Sequence, residues 1–399
     1  MNLEAFLQDS GFAYEAPRSL YVHVPFCSQK CAYCDFHSRP ANHSESSAYA
    51  KALAGRVAAS RGLFPEGLST IYVGGGTPTV LETEDFRTLM EALGSLAGPE
   101  TAEWTVEANP ESLDRERIEI MAEAGATRLS LGIQSMDRRE LGILGRKASP
   151  EANLRALRLA SSSGMDVSAD LICGIPRPGQ DPLPDRPSLE AQASILIGEG
   201  VTHLSLYDLT VEENTPLAAR IGRGELSLPD GDEAQEERAG AEEFLSRRGL
   251  ARYEVSNFAF PGKESLHNMA YWSMDSYLGM GSSAVSTLIG KGHPESLRIE
   301  ETPRGETKVS YLDARTSAFE FLMMGLRTSR GASISRFSHR FGLSLVPSLR
   351  RTMERFPGRF REVGGGLALD GRGLDILNSI LLSIMDDVDL SFVRKDSVQ

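Results

Sequence analysis

Three of the four cysteines in this 399-residue chain fall within one short loop, Cys27-Ser28-Gln29-Lys30-Cys31-Ala32-Tyr33-Cys34. The loop follows an apolar run, Leu20 to Phe26, that reads as a strand. Thiolates this close in sequence can converge on one centre without help from distant segments. Three are one short of the closed four-ligand set of a structural zinc site. An iron–sulfur cluster uses the same soft ligands, and with three thiolates it leaves one iron open to chemistry. A zinc site completed by His23 or His37 is the rival reading. Disulfides are disfavoured by the odd number of clustered cysteines and by an opening, Met1-Asn2-Leu3-Glu4, that lacks an export signal.

A hydrophobic content of 41% supports a large core, and the length suggests two domains. The formal charge of -13 argues against nucleic acid, whose phosphates need a concentrated basic face. A run of about 20 apolar residues is missing, so no membrane span is expected. These features together predict a reducing, cytoplasmic setting.

Strand-like runs at Leu20–Val24, Thr70–Val73, Glu103–Ala108, Arg128–Gly132, Asp166–Leu171 and His203–Leu206 alternate with amphipathic segments. The latter are Ser46–Leu63, Glu84–Leu96, Asp114–Ala124, Pro150–Ser163 and Leu189–Gly198. Six βα units predict an α/β fold, a parallel sheet curved into an open partial barrel, with ligands at the C-terminal strand ends. Polar or glycine-rich residues follow most of those ends: Gly74-Gly75-Gly76-Thr77-Pro78, Glu107-Ala108-Asn109-Pro110, Gly132-Ile133-Gln134-Ser135 and Asp170. Adjacent glycines expose backbone amides suited to a carboxylate. Each residue taken singly reads as structural; their recurrence at successive strand ends reads as a site.

The loop pattern C-x-x-x-C-x-x-C after a first strand resembles the radical SAM superfamily. The wider match, from Tyr21 through Cys34-Asp35-Phe36, is similar to the oxygen-independent coproporphyrinogen III oxidase-like family, and within it to the HemW-type heme chaperones. This resemblance implies a partial (β/α)6 radical SAM barrel and a [4Fe-4S] cluster on Cys27, Cys31 and Cys34. The open iron would bind S-adenosylmethionine, with contacts at Tyr21, Tyr33, Gly75, Gly76, Thr77, Glu107, Gln134, Arg146 and Asp170. In the oxidase these positions are divided between two S-adenosylmethionine molecules. Thr210 and Val285 match further contact positions less closely. Ala148 departs from the pattern, standing where histidine is frequent. Cys173 stands where an aromatic is usual, and it reads as a small buried residue.

Downstream lies His267-Asn268-Met269-Ala270-Tyr271-Trp272. Imidazole is a good iron ligand and aromatic rings stack on a macrocycle, yet on the residues alone a hydrogen-bonded histidine in an aromatic cluster fits slightly better. The resemblance assigns His267, Asn268, Tyr271 and Trp272 to heme. Arg146 and Arg252 are candidates for a propionate. The acidic run Asp230–Glu237 reads as the solvated start of a helix, Glu233–Arg248, and Arg177–Pro187 as an exposed loop.

From about Ala314 the pattern turns helical, with Arg315–Arg327, Ser333–Phe341 and Val346–Phe356. Leu367–Leu369, a turn at Asp370-Gly371 and the apolar helix Leu374–Met385 follow, which suggests a winged-helix-like module. The expected organisation is an N-terminal segment (1–19), the barrel (20–255), a connecting segment with the histidine motif (256–313) and a mainly helical domain (314–399).

Two functions follow from the resemblance. One is a heme chaperone that carries heme as cargo to respiratory proteins at a membrane. The other is an oxidase that takes porphyrinogen as substrate and converts two propionates to vinyl groups. Phe36 stands where the oxidase pattern has an added cysteine, which favours the chaperone. Anaerobic reconstitution is expected to give broad visible charge-transfer absorption and about four irons per chain. Stoichiometric zinc without iron would remove the cluster reading.

Overall fold

The computed structural model describes residues 6–7, 9–179, 183 and 185–387, so parts of the predicted 1–19, 177–187 and 314–399 segments lie outside it. Six parallel strands form its centre: β1 (Ser19–Val24), β2 (Thr70–Gly75), β3 (Glu103–Ala108), β4 (Arg128–Gln134), β5 (Asp166–Cys173) and β6 (His203–Asp208). The sheet continues at both edges. Beyond β6 lie β7 (Ala251–Arg252) and β8 (Asn257–Ala259), and beyond β1 lie β9 (Tyr277–Met280), β10 (Val285–Ile289), β11 (Ser296–Glu301) and β12 (Thr307–Leu312). The order is β12-β11-β10-β9-β1-β2-β3-β4-β5-β6-β8-β7. Segment 256–313 is therefore no connector: it supplies five strands of the barrel's own sheet. Periodicity could not reveal this, because strand partners are chosen by backbone pairing across long sequence separations.

Alternation along the strands sorts their side chains by face. Leu20, Val22, Ile71, Val73, Trp104, Val106, Leu129 and Leu131 are fully buried in one core with the surrounding helices. The Thr83–Gly94 helix, for instance, contributes Phe86, Leu89, Met90 and Leu93, spaced as one helical stripe. The alternate residues are polar. Ser19, His23, Thr70, Glu103, Thr105, Arg128, Ser168, His203 and Ser205 are buried without belonging to that core. Parallel strands covered on both faces usually read as continuous apolar runs, so a polar inner face marks a surface that must satisfy its own hydrogen bonds.

At the N-terminal end of the strands the bonds are made internally. Glu103 accepts from Ser265 Oγ (3.1 Å), the Leu266 amide (2.9 Å) and the His267 amide (2.9 Å). It is ion-paired at 3.2 Å with Arg128, whose guanidinium also donates to the carbonyls of Lys263 (2.7 Å) and Glu264 (3.1 Å) and to Ser168 Oγ (3.0 Å). Together they fasten the short Leu266–Trp272 helix against that end.

The region from Ala314 has its own core, built on Phe321, Leu322, Phe337, Phe341, Leu349, Leu367, Ile380 and Ile384. Helix Ala314–Gly325 precedes and helix Ile334–Phe341 follows the first strand of a three-stranded sheet, in which β13 (Ala332–Ser333) pairs with β15 (Gly366–Leu369), and β15 with β14 (Phe360–Val363). The hairpin turn is at Gly364-Gly365, both with positive φ, and not at Asp370-Gly371. Asp370 instead caps the next helix, accepting from the Gly373 amide at 2.7 Å. Two other expectations change. The acidic run is only partly solvated, since Glu233 and Glu237 pair with Arg177 (2.6 Å) and Arg186 (2.5 Å). Arg177 is accordingly buried, not part of an exposed loop.

Glu103→Ala is expected to lower stability by about 3–5 kcal/mol, because it leaves the buried Arg128 charge without its partner. A urea titration followed by near-UV circular dichroism measures this as a lower midpoint. An unchanged midpoint would mean that the pair does not hold the barrel's N-terminal end.

Candidate active site at the C-terminal strand ends

The opposite end of the strands opens into a cavity of about 520 Å³. Cys27, Cys31, Tyr33, Cys34, Gly75, Gly76, Thr77, Glu107, Gln134, Arg146 and Asp170 all line it, and so does Thr210. Tyr21 and Val285 do not. Tyr21 lies on the inner face of β1 with its hydroxyl 2.9 Å from His23 Nδ1, and Val285 opens β10.

The cysteine loop is tied to the barrel by backbone bonds: the Ala32 amide donates to the Leu144 carbonyl (2.9 Å), and Ala32 O accepts from the Leu217 amide (2.8 Å). All three thiols are free and half-buried, and burial pushes the Cys27 and Cys34 thiols up. Thr77 Oγ1 donates to Cys27 Sγ at 3.6 Å, and Arg146 Nη1 to Cys31 Sγ at 3.5 Å. Among the described residues, no three His, Cys, Asp or Glu side chains form a single-ion cage. His23 is already engaged at both nitrogens, with Tyr21 and the His37 carbonyl (3.0 Å). His37 Nε2 lies 3.1 Å from Ser282 Oγ. The Phe36 amide and Ser38 serve Cys34 as Thr77 serves Cys27 and Arg146 serves Cys31, so the donor set of three thiols, each with a hydrogen-bond donor at its sulfur, fits an iron–sulfur cluster held at the cavity wall. Cys173 is buried in the helix-side core, its thiol pushed up to about 12 by burial.

The glycine segment leaves no space for side chains. A Cβ on Gly76 would sit 2.5 Å from the Phe26 carbonyl oxygen, and one on Gly75, whose φ is +97°, would sit 2.3 Å from the His23 ring. The exposed amides expected for this segment are not found: Gly75 donates to Glu107, Gly76 to the Val24 carbonyl (2.9 Å) and Thr77 to the Phe26 carbonyl (2.7 Å), so the glycines serve close packing of the backbone against β1 and the cysteine loop. Glu107 accepts from Tyr72 Oη (2.7 Å) and the Gly75 amide (3.1 Å). Burial, with Asp170 nearby, raises Glu107 to about 7 despite these bonds. Asp170 is pushed up to about 6, again by burial. Two carboxyls that hold protons near neutrality suit hydroxyl groups and a cationic ligand. Gln134 has φ +66° after an irregular register at Leu131/Gln134, a backbone cost typical of ligand sites.

The histidine motif sits at the other end. His267 is fully buried, with Nδ1 2.8 Å from Thr70 Oγ1 and Nε2 2.7 Å from Tyr271 Oη. Burial holds its imidazole neutral, at about 3. Both nitrogens are occupied in this conformation. Asn268, Tyr271 and Trp272 are half-buried; the Trp272 indole lies 6.0 Å from the Arg327 guanidinium. Arg252 is paired with Glu242 (3.2 Å) and Asp375 (3.6 Å) and does not reach the cavity.

Sequence reading missed Tyr72, Asn109, Tyr207, Asp208 and Glu212. Period-two alternation would have found Tyr72, which shares the inner face of β2 with Thr70, and Asn109, two residues past Glu107.

Raised carboxyl pKa values make a signed prediction for the ligand-free chain. Between about pH 4.5 and 7 the folded state holds a Glu107 proton that the unfolded state has lost, so stability falls as pH rises through that window. Glu107→Gln is expected to raise the melting temperature at pH 8 and leave it nearly unchanged at pH 4.5. Parallel melting curves for the two proteins would exclude the buried-carboxyl account.

Comparison with known proteins agrees with this geometry. The Radical SAM superfamily profile matches residues 21–185, and the HemN C-terminal domain profile matches 312–375. The heme chaperone HemW of Escherichia coli (strain K12) is 33% identical over 387 residues, covering 92% of this chain and 97% of the relative. That of Lactococcus lactis is 31% identical, covering 83% and 86%. The mouse mitochondrial radical S-adenosyl methionine domain-containing protein 1 is 32% identical, covering 95% and 90%. The solved structure of E. coli coproporphyrinogen III oxidase (HemN), a radical SAM enzyme, superposes with a TM-score of 0.76 at 19% identity over 96% of this chain and 93% of that one. The chain thus belongs to the radical SAM superfamily, in the oxygen-independent coproporphyrinogen III oxidase-like family that includes the HemW heme chaperones.

Proposed function

We propose that this protein is a heme chaperone of the radical SAM type. Cys27, Cys31 and Cys34 hold a [4Fe-4S] cluster. Gly75, Gly76, Thr77, Glu107, Gln134, Arg146 and Asp170 hold S-adenosylmethionine against its open iron, with Tyr33 on the same wall. When bound, the cluster and S-adenosylmethionine supply one-electron chemistry; the chain's residues bind, orient and exclude water. Heme is the cargo, and His267, Asn268, Tyr271 and Trp272 are its assigned contacts. Ligation by His267 requires Thr70 or Tyr271 to release one imidazole nitrogen. The acceptors are respiratory heme proteins reached from the cytoplasm at a membrane surface. No helix among the described residues is long and apolar enough to cross a membrane itself.

The observation that carries the chaperone over the oxidase is the charge of the cavity. Arg146 is the one cation among the described lining residues, and its guanidinium is already bonded to Cys31, Asn109 and Gly132, while Asp35 and Glu212 add negative charge, Glu107 and Asp170 are held partly protonated, and Asp208 is paired with Arg238 (2.9 Å). Coproporphyrinogen III carries four carboxylates, for which such a wall offers no uncommitted cation. Phe36, 72% exposed at the mouth beside Cys34, occupies the place of the oxidase's added cysteine.

Reduced, reconstituted protein incubated with S-adenosylmethionine and coproporphyrinogen III is expected to yield no protoporphyrinogen IX. Its formation would establish the oxidase instead. Heme titration is expected to produce a Soret shift that weakens at least several-fold in His267→Ala. Equal binding by the variant would remove His267 from its assigned role.

A further inference from the structure

The cysteine loop and the cavity are joined by a hydrogen-bonded chain centred on Asn109, a residue with no role assigned above. Thr77 donates its single hydroxyl proton to Cys27 Sγ, and its oxygen accepts from Asn109 Nδ2 at 2.8 Å. Asn109 Oδ1 accepts from Arg146 Nη2 at 2.8 Å, while Nη1 of the same guanidinium donates to Cys31 Sγ. One carboxamide therefore stands between the donors that reach two of the three thiols. An amide suits this place because it both donates and accepts. By giving its N–H to the Thr77 oxygen it leaves that hydroxyl proton free to point at sulfur. By accepting from Nη2 it fixes the guanidinium plane, helped by the Gly132 carbonyl at 2.6 Å. The local turn does not need this side chain, since the Asn109 backbone carbonyl alone accepts from the Ser112 amide (3.0 Å) and from Ser112 Oγ (3.1 Å).

We propose that Asn109 is a positioning residue that sets the reduction potential of the cluster, by aiming Thr77 and Arg146 at the sulfurs of Cys27 and Cys31. The proposal rests on the cluster reading of the cysteine loop. One-electron reduction adds negative charge to the cluster and its thiolates, and donors on the sulfurs stabilise the more negative state. Loss of those donors lowers the potential.

The test uses the full chain, reconstituted anaerobically and titrated with dithionite in the presence of redox mediators. The electron paramagnetic resonance signal of the reduced cluster is followed without S-adenosylmethionine or heme. Asn109→Asp keeps the shape, but its carboxylate draws the Thr77 proton away from Cys27 and adds charge. Its midpoint potential is expected to fall below that of the unaltered protein at equal iron content. Thr77→Val, which lacks the hydroxyl, is expected to lower it too. Asn109→Ala alone is expected to lower it as well, and combined with Thr77→Val to shift it less than the sum of those two single variants, because both act on the Cys27 bond. An Asn109→Asp potential equal to wild type, or strictly additive shifts, overturns the proposal. So does an Asn109→Asp protein that folds normally but holds no iron, for then the amide holds the loop instead of tuning the cluster. Absence of iron from the unaltered protein would instead overturn the cluster reading, so the two failures are separable.

Discussion

The register of the six parallel strands is the constraint on which the rest depends. Side chains alternate with a period of two, so a slip of one residue would exchange the faces of every strand. In the observed register Leu20, Val22, Trp104 and Leu129 meet the helices, and Tyr72, Glu103, Glu107, Arg128 and Asp170 point inward. The opposite register would place Glu103 and Arg128 among leucines, a cost of several kcal/mol for each unpaired charge. Hydrophobic burial of one face thereby holds a polar site on the other.

That polar face is used differently at its two ends. Near the N-terminal ends of the strands, Thr70, Glu103, Arg128 and His203 are bonded to each other, to Tyr253 and to the 263–267 segment. Toward the C-terminal ends, Glu107, Gln134 and Asp170 face a cavity. Tyr72 stands between the two: its hydroxyl donates to Glu107, and its ring lies 5.2 Å from that of His267. The cavity and the histidine motif therefore share one tyrosine, although the cysteine loop and His267 occupy opposite ends of the strands.

The cysteine loop shows how local chemistry is completed from a distance. Three thiols within eight residues provide the ligands, but their orientation depends on Leu144, Leu217, Thr77 and Arg146, which come from other βα units. Arg146 illustrates the difference between composition and environment. As a cation in a cavity it invites a propionate, whereas its bonds to Cys31, Asn109 and Gly132 make it part of the loop's support.

Much of the fold and site was legible in sequence because the signals are local. Alternating βα units announced six strands, the C-x-x-x-C-x-x-C spacing announced three thiols gathered in one loop, and the glycine-rich or acidic strand ends announced the wall of a cavity. Partnering was not legible. Nothing in Tyr277–Leu312 says that those strands pair beside β1, because backbone pairing leaves little trace in side-chain type. The residues themselves pointed to His267 as a hydrogen-bonded histidine in an aromatic cluster, and Tyr271, 4 positions on, was within reach of that reading; its second partner, Thr70, 197 positions away, was not. The chain alone thus determined which chemical groups are present and their strand or helix periodicity. Tertiary structure decided which of them face the cavity, which satisfy one another, and that Asn109 links two of the cysteines, because those outcomes depend on distances between segments far apart in the chain.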